Sequence, residues 1–76
     1  MKVTVYSTPT CPFCIQVKEY LTENKVEFVD VDVSIDQEKA QEMIKKSGQM
    51  GVPVIEIGEE LVIGFDEPKL KKFLGL

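Results

Sequence analysis

The sequence has no histidine, no arginine and only two cysteines among its 76 residues. Without histidine, two thiols cannot complete the four-ligand set of a structural zinc site, so no zinc centre is expected within one chain. Thirteen acids face nine lysines, for a net charge of −4, and the missing guanidinium groups leave little to hold a phosphate backbone. Nucleic acid is not an expected partner. No apolar run approaches the ~18 residues of a spanning helix, so no membrane is expected either. The opening "MKVTVYST" lacks the long apolar stretch of a secretory signal, which points to the cytoplasm. Secreted disulfide-rich domains spread several cysteine pairs along the chain, whereas Cys11 and Cys14 form a single close pair.

Hydrophobic residues at 43% and charged residues at 29% suit an ordinary globular chain, neither disordered nor membrane-embedded. Residues 1–76 are expected to form one domain that buries only about 60% of its unfolded surface, so the core is small. No repeat, low-complexity tract or linker interrupts it. "KVTVY" (Lys2–Tyr6) alternates β-branched residues and predicts a strand. From Pro12 to about Asn24, Phe13, Cys14, Val17, Tyr20 and Leu21 recur at helical spacing, with Pro12 in the first turn, where its missing N–H is not needed. "VEFVDVDV" (Val26–Val33) predicts a buried strand, with a bulge where the alternation slips between Phe28 and Val29.

Ser34 and Gln37 have capping-box spacing for a second helix that presents Ala40, Met43 and Ile44 inward and stops at Gly48. "PVIEIGEELVI" (Pro53–Ile63) predicts a hairpin turning at Gly58-Glu59. After Gly64-Phe65, Asp66 can cap a last helix with Pro68 in its first turn and Leu70, Phe73 and Leu74 on one face. The order βαβαββα implies an α/β fold: a mixed sheet of four strands flanked by three helices, with Cys11 at the rim where the first strand ends. Tyr6, Tyr20, Phe28 and Phe73 read as core, Lys18 and Glu19 as a solvated helix face, and Glu59 and Glu60 as a polar hairpin tip.

Two cysteines three residues apart could be a staple, half of a metal site or a redox pair. A loop of about four residues gives roughly 2 kcal/mol of chain-entropy stabilisation against roughly 3 for fifteen residues, and Pro12 has already stiffened the chain, so a staple is poorly placed here. The redox reading uses the positions. Cys11 sits at or just before a helix N-terminus, where unpaired N–H groups and the helix dipole favour a thiolate. Cys14, one turn on and on the apolar face, can reach Cys11 and should be buried and harder to ionise. Cys11 then attacks and Cys14 resolves. Val52-Pro53 stands at the start of the third strand, and pattern alone favours a trans bond, since only about 5–6% of such bonds are cis.

The run "YSTPTCPFC" followed by "GVPVIEIGEELVIGF" and a short closing helix resembles the glutaredoxins, and more closely the small glutaredoxin-like redoxins of bacteria and archaea. The resemblance covers essentially the whole chain. It implies a thioredoxin fold, thiol–disulfide oxidoreductase activity with catalytic Cys11 and Cys14, and no metal or tightly bound cofactor. Glutathione is the implied co-substrate, disulfide-containing proteins are the implied partners, and the chain is expected to act as a monomer. It also implies a cis Val52-Pro53 beside the cysteines, with the Val52 backbone pairing with an extended thiol substrate. Thr8, Pro12 and Phe13 flank the same implied substrate or glutathione site, as do Gly64, Phe65, Asp66 and Glu67.

Two departures bear on the reductant. Thr8 stands where glutaredoxins often carry a lysine that holds a glutathione carboxylate. Gly64-Phe65-Asp66-Glu67 replaces the Gly-Gly-Ser/Asp-Asp that binds its γ-glutamyl end, although amides opening the last helix could still hold a carboxylate. The Gly-Phe turn is similar to that of redoxins which take electrons from thioredoxin reductase and serve ribonucleotide reductase, yet those follow it with a basic residue. Metal readings stay open beside these. Copper-carrying domains resemble M-x-C-x-x-C, with Pro9 here in the methionine position, and close on a strand, whereas "EPKLKKFLGL" has helical spacing. An iron–sulfur cluster bridging two subunits would need only Cys11 and glutathione from each.

Overall fold

The β-branched opening forms β1 (Val3–Ser7), and the chain continues through α1 (Pro12–Glu23), β2 (Val29–Asp32), α2 (Gln37–Ser47), β3 (Val54–Ile57), β4 (Glu60–Ile63) and α3 (Glu67–Leu74) in a computed structural model that describes residues 2–76. The strands lie in the order β2-β1-β3-β4. β1 runs parallel to β2 and antiparallel to β3, which turns into β4 at Gly58-Glu59. Gly58 takes φ 60° there, the left-handed value that a side chain would resist.

Alternation along β1 sorts the core. Val3 and Val5 join Val17 and Leu21 of α1, Ile55, Ile57 and Val62 of the hairpin, and Leu70 of α3 in one buried cluster. Tyr6 points to the opposite face and meets Met43 of α2 and Val54. Successive strand residues face opposite sides of a sheet, so α1 and α3 cover one face and α2 the other. Leu21 is wholly buried, a burial that contributes about 1.5–3 kcal/mol.

Two expectations are corrected. The second strand is shorter than Val26–Val33 and lies at the sheet edge, with Val29 and Asp30 exposed. It carries no bulge: Thr4 to Ser7 pair one to one with Val29 to Asp32. The slip in the alternation instead marks where the chain joins the strand, because Phe28 packs on the α1 side while Val31 and Val33 pack on the α2 side. The N-cap of α2 is Asp36, whose carboxylate accepts from the Lys39 amide at 3.1 Å. Ser34 is spent on a local turn, its N–H donating to Asp32 Oδ1 at 2.9 Å. Gly48 closes α2 in the left-handed region at φ 74°.

Candidate active site

The site is built where β1 hands over to α1. Cys11 is the N-cap of α1 (φ −91°, ψ 113°), and its sulfur, in place of the usual oxygen, accepts from the Cys14 N–H at 3.3 Å. Pro12 occupies the first helical position, and none of the first-turn side chains is acidic. An otherwise unpartnered amide and the helix dipole are therefore aimed at this sulfur, with no carboxylate of the first turn competing for them. As a thiol, Cys11 donates to the Val52 carbonyl at 3.8 Å. Cys11 is partly exposed, Cys14 fully buried, and both are free thiols.

Burial pushes the Cys14 thiol up to about 11, and its hydrogen bond with Cys11 adds to the effect. The Thr8 backbone amide pulls the other way, the Cys11 charge raises it further, and Lys18 lowers it. The buried sulfur thus keeps its proton at neutral pH while the partly exposed one receives the helix amide.

Beside Cys11 lies a groove of about 590 Å³ whose walls are Phe13, Val52 and Pro53 on one side and Ile63 to Pro68 on the other. The Val52-Pro53 bond is cis, as the resemblance implies and against the expectation from pattern alone. The Pro53 carbonyl accepts from the Gly64 N–H at 2.9 Å, which ties the two walls together. Phe65 packs edge-on against Tyr20 of α1, with ring centroids 5.8 Å apart. Asp66 caps α3 by accepting from the Lys69 amide at 3.3 Å, and Glu67 pairs with Lys71 at 3.6 Å. No lysine lines the groove, and its charged residues are the acids Asp66 and Glu67.

Of the residues expected at the site, the groove brings together Phe13, Val52, Pro53, Gly64, Phe65, Asp66 and Glu67. Thr8 and Pro12 do not line it: the Thr8 carbonyl accepts from the Cys11 N–H at 3.4 Å, and Pro12 opens α1. Sequence reading missed Ile63, whose place opposite Val54 brings it to the groove mouth. It also missed a polar group behind Cys14. Lys18, expected on a solvated face, has a side chain only 26% exposed that reaches Asp30 Oδ2 at 3.2 Å. Its spacing of four residues from Cys14 puts both on one face of α1, which was the available signal.

Among the described residues no helix is long and apolar enough to cross a membrane, and no three His, Cys, Asp or Glu side chains gather as a metal site. A mixed sheet with this strand order, a C-P-F-C turn capping the first helix and a cis Val52-Pro53 bond whose valine carbonyl meets the first sulfur define a thioredoxin-fold redoxin. Comparison with known proteins agrees. The glutaredoxin family model matches residues 3–62. The chain is 43% identical over 72 residues to the "glutaredoxin-like 8.6 kDa protein in rubredoxin operon" of Clostridium pasteurianum, covering 95% of this chain and 96% of that one. It is 35% identical over 65 residues to glutaredoxin 3 of Escherichia coli, covering 86% and 78%. The crystal structure of the Archaeoglobus fulgidus glutaredoxin superposes with a TM-score of 0.90 at 28% identity, covering 96% and 85%. The chain belongs to the glutaredoxin family.

Proposed function

We propose that the chain is a dithiol oxidoreductase that reduces protein disulfides and glutathione mixed disulfides, with Cys11 as nucleophile and Cys14 as resolving thiol. The observation that carries this reading is the 3.3 Å approach of the Cys14 amide to the Cys11 sulfur at the head of α1. The Cys11 thiolate attacks one sulfur of a substrate disulfide, a mixed disulfide forms, and the other substrate sulfur leaves as a thiolate. Cys14 then gives up its proton and attacks Cys11, forming the Cys11–Cys14 disulfide and releasing the first substrate sulfur. Two electrons pass from the dithiol to the substrate. A second glutathione can replace Cys14 when the mixed disulfide is with glutathione.

In this reading glutathione returns the electrons, no metal or bound organic cofactor takes part, and the protein works as a cytoplasmic monomer. Val52 would pair through its backbone with the extended substrate, and Phe13, Pro53, Gly64 and Phe65 would flank it. Asp66 and Glu67 would meet it at the head of α3, and Thr8 and Pro12 would support Cys11 from behind the groove.

A second reading is favoured by the absence of lysine from the groove lining: thioredoxin reductase as the electron source, with ribonucleotide reductase as a recipient. Following NADPH with the oxidised protein and either glutathione plus its reductase or thioredoxin reductase separates the two. Rapid turnover with the second alone would overturn glutathione as reductant. Cys11→Ser should abolish turnover, whereas Cys14→Ser should spare reduction of glutathione mixed disulfides. Full activity in Cys11→Ser refutes the assignment of roles.

A further inference from the structure

The polar group behind Cys14 joins three elements. Ser7, the last residue of β1 and 2% exposed, donates to Asp30 Oδ1 of β2 at 2.7 Å. Lys18 Nζ of α1 takes the other oxygen of the same carboxylate at 3.2 Å and also reaches Ser7 Oγ at 3.5 Å. One carboxylate thus fixes both a buried hydroxyl and an ammonium group, and the lysine stem lies on the helical face that carries Cys14. An ion pair as exposed as this contributes at most about 1 kcal/mol to stability, so gluing α1 to β2 is a weak reason for the arrangement.

We infer that Lys18, held by Asp30 and Ser7, is a positioning residue for the resolving step, its ammonium group favouring the thiolate of Cys14 as that sulfur attacks the mixed disulfide on Cys11. The inference rests on the dithiol reading proposed above.

Its force lies in timing. In the free dithiol, Cys14 is held protonated by burial and by both the hydrogen bond and the charge of Cys11. Once Cys11 is bonded to a substrate sulfur it carries no charge and is a far poorer acceptor for the Cys14 S–H, so both of those influences fade. Burial remains, opposed by the Thr8 amide and by Lys18. Lys18 is then the one cation among the groups acting on the sulfur that must ionise. The charged and titratable groups facing this corner are Cys11, Cys14 and Lys18 of the first helix, with Asp30 and Asp32 of β2 behind Lys18.

Stopped-flow reaction of the reduced protein with one equivalent of dithiobis(nitrobenzoate) resolves the two steps. Cys11 releases the first thionitrobenzoate as the mixed disulfide forms, and Cys14 releases the second as the intramolecular disulfide closes, its proton going to solvent. Lys18→Met, which keeps the length of the stem, should slow the second release relative to the first by about fivefold near neutral pH. It should also move the alkaline rise of that phase to higher pH, and Lys18→Arg should restore both. An unchanged second phase and pH profile in Lys18→Met would overturn the inference while leaving the dithiol reading standing, provided Cys14→Ser loses the second release. Equal slowing in Lys18→Met and Lys18→Arg with no shift of the profile would also overturn it, since that is what a merely structural ion pair gives. If Cys14→Ser releases the second equivalent at the native rate, the dithiol reading itself fails.

Discussion

The buried thiol of Cys14 makes the stability of the reduced protein depend on alkaline pH in a way that can be worked out. It ionises at about 11 in the folded dithiol form against 9.0 for an unburied thiol. Between those values the unfolded chain has released the proton and the folded chain still holds it, so the unfolded state binds fewer protons and stability falls as pH rises. The stabilisation is fully present below 9.0 and lost by about 11. A two-unit difference converts to about 2.7 kcal/mol at 1.36 kcal/mol per unit, and because part of the shift comes from Cys11, a loss of about 2 kcal/mol is the working figure. Urea denaturation under a non-thiol reductant, at a series of pH values across this window, should show the wild-type midpoint falling faster than that of Cys14→Ala. Side chains common to both proteins cancel in the comparison, and the small cavity left in the variant adds only a constant offset. Parallel curves for the two proteins would refute the reasoning.

Leu21→Ala, which empties the centre of the cluster beneath α1, should cost about 2–5 kcal/mol, read as a lowered denaturant midpoint with little change in slope. Asp36→Ala should cost about 1 kcal/mol by removing the cap of α2, and Ser34→Ala clearly less, in the same assay; equal losses would return the cap to Ser34. Gly64→Ala has free space for the new methyl group but must hold φ 77°, so it should lose about 1–2 kcal/mol through the backbone alone. Because Gly64 ties the groove walls together, its KM for a peptide disulfide should rise as well.

Most of the fold was legible in the order of periodicities. Val3 and Val5, the helical spacing from Phe13 to Leu21, and the Gly58-Glu59 turn each carry a local signal that the tertiary structure did not override. Cys11 and Cys14 were legible for the same reason, since a cap position and a helical face are both set within four residues of sequence. What escaped depends on distant partners. The extent of β2 is decided by its place at the sheet edge, which its own residues do not encode, and the choice of Asp36 over Ser34 turned on Asp32 occupying the serine. Lys18 looked solvent-bound because its partner Asp30 is brought near only by the parallel register of β1 and β2. The cis bond before Pro53 has no local signature in Gly51-Val52-Pro53.

The sheet is covered unequally. Among the described residues, eight buried side chains form the cluster between α1, α3 and one face, whereas the α2 side has only Tyr6, Met43 and Val54 buried, with partly buried neighbours such as Ile44 and Val52 around them and Lys46 pairing Glu56 at 3.1 Å. Fluctuations that lift α2 expose less apolar surface than any that move α1, so they are the cheaper ones. Val52 leans on this thinner side, while the helix bearing both sulfurs is anchored in the thicker one. Breathing of the molecule therefore reaches the groove wall at Val52, proposed above to pair with a substrate, before it reaches the two sulfurs, and the shape of that groove and the setting of the thiols can drift apart under mutation.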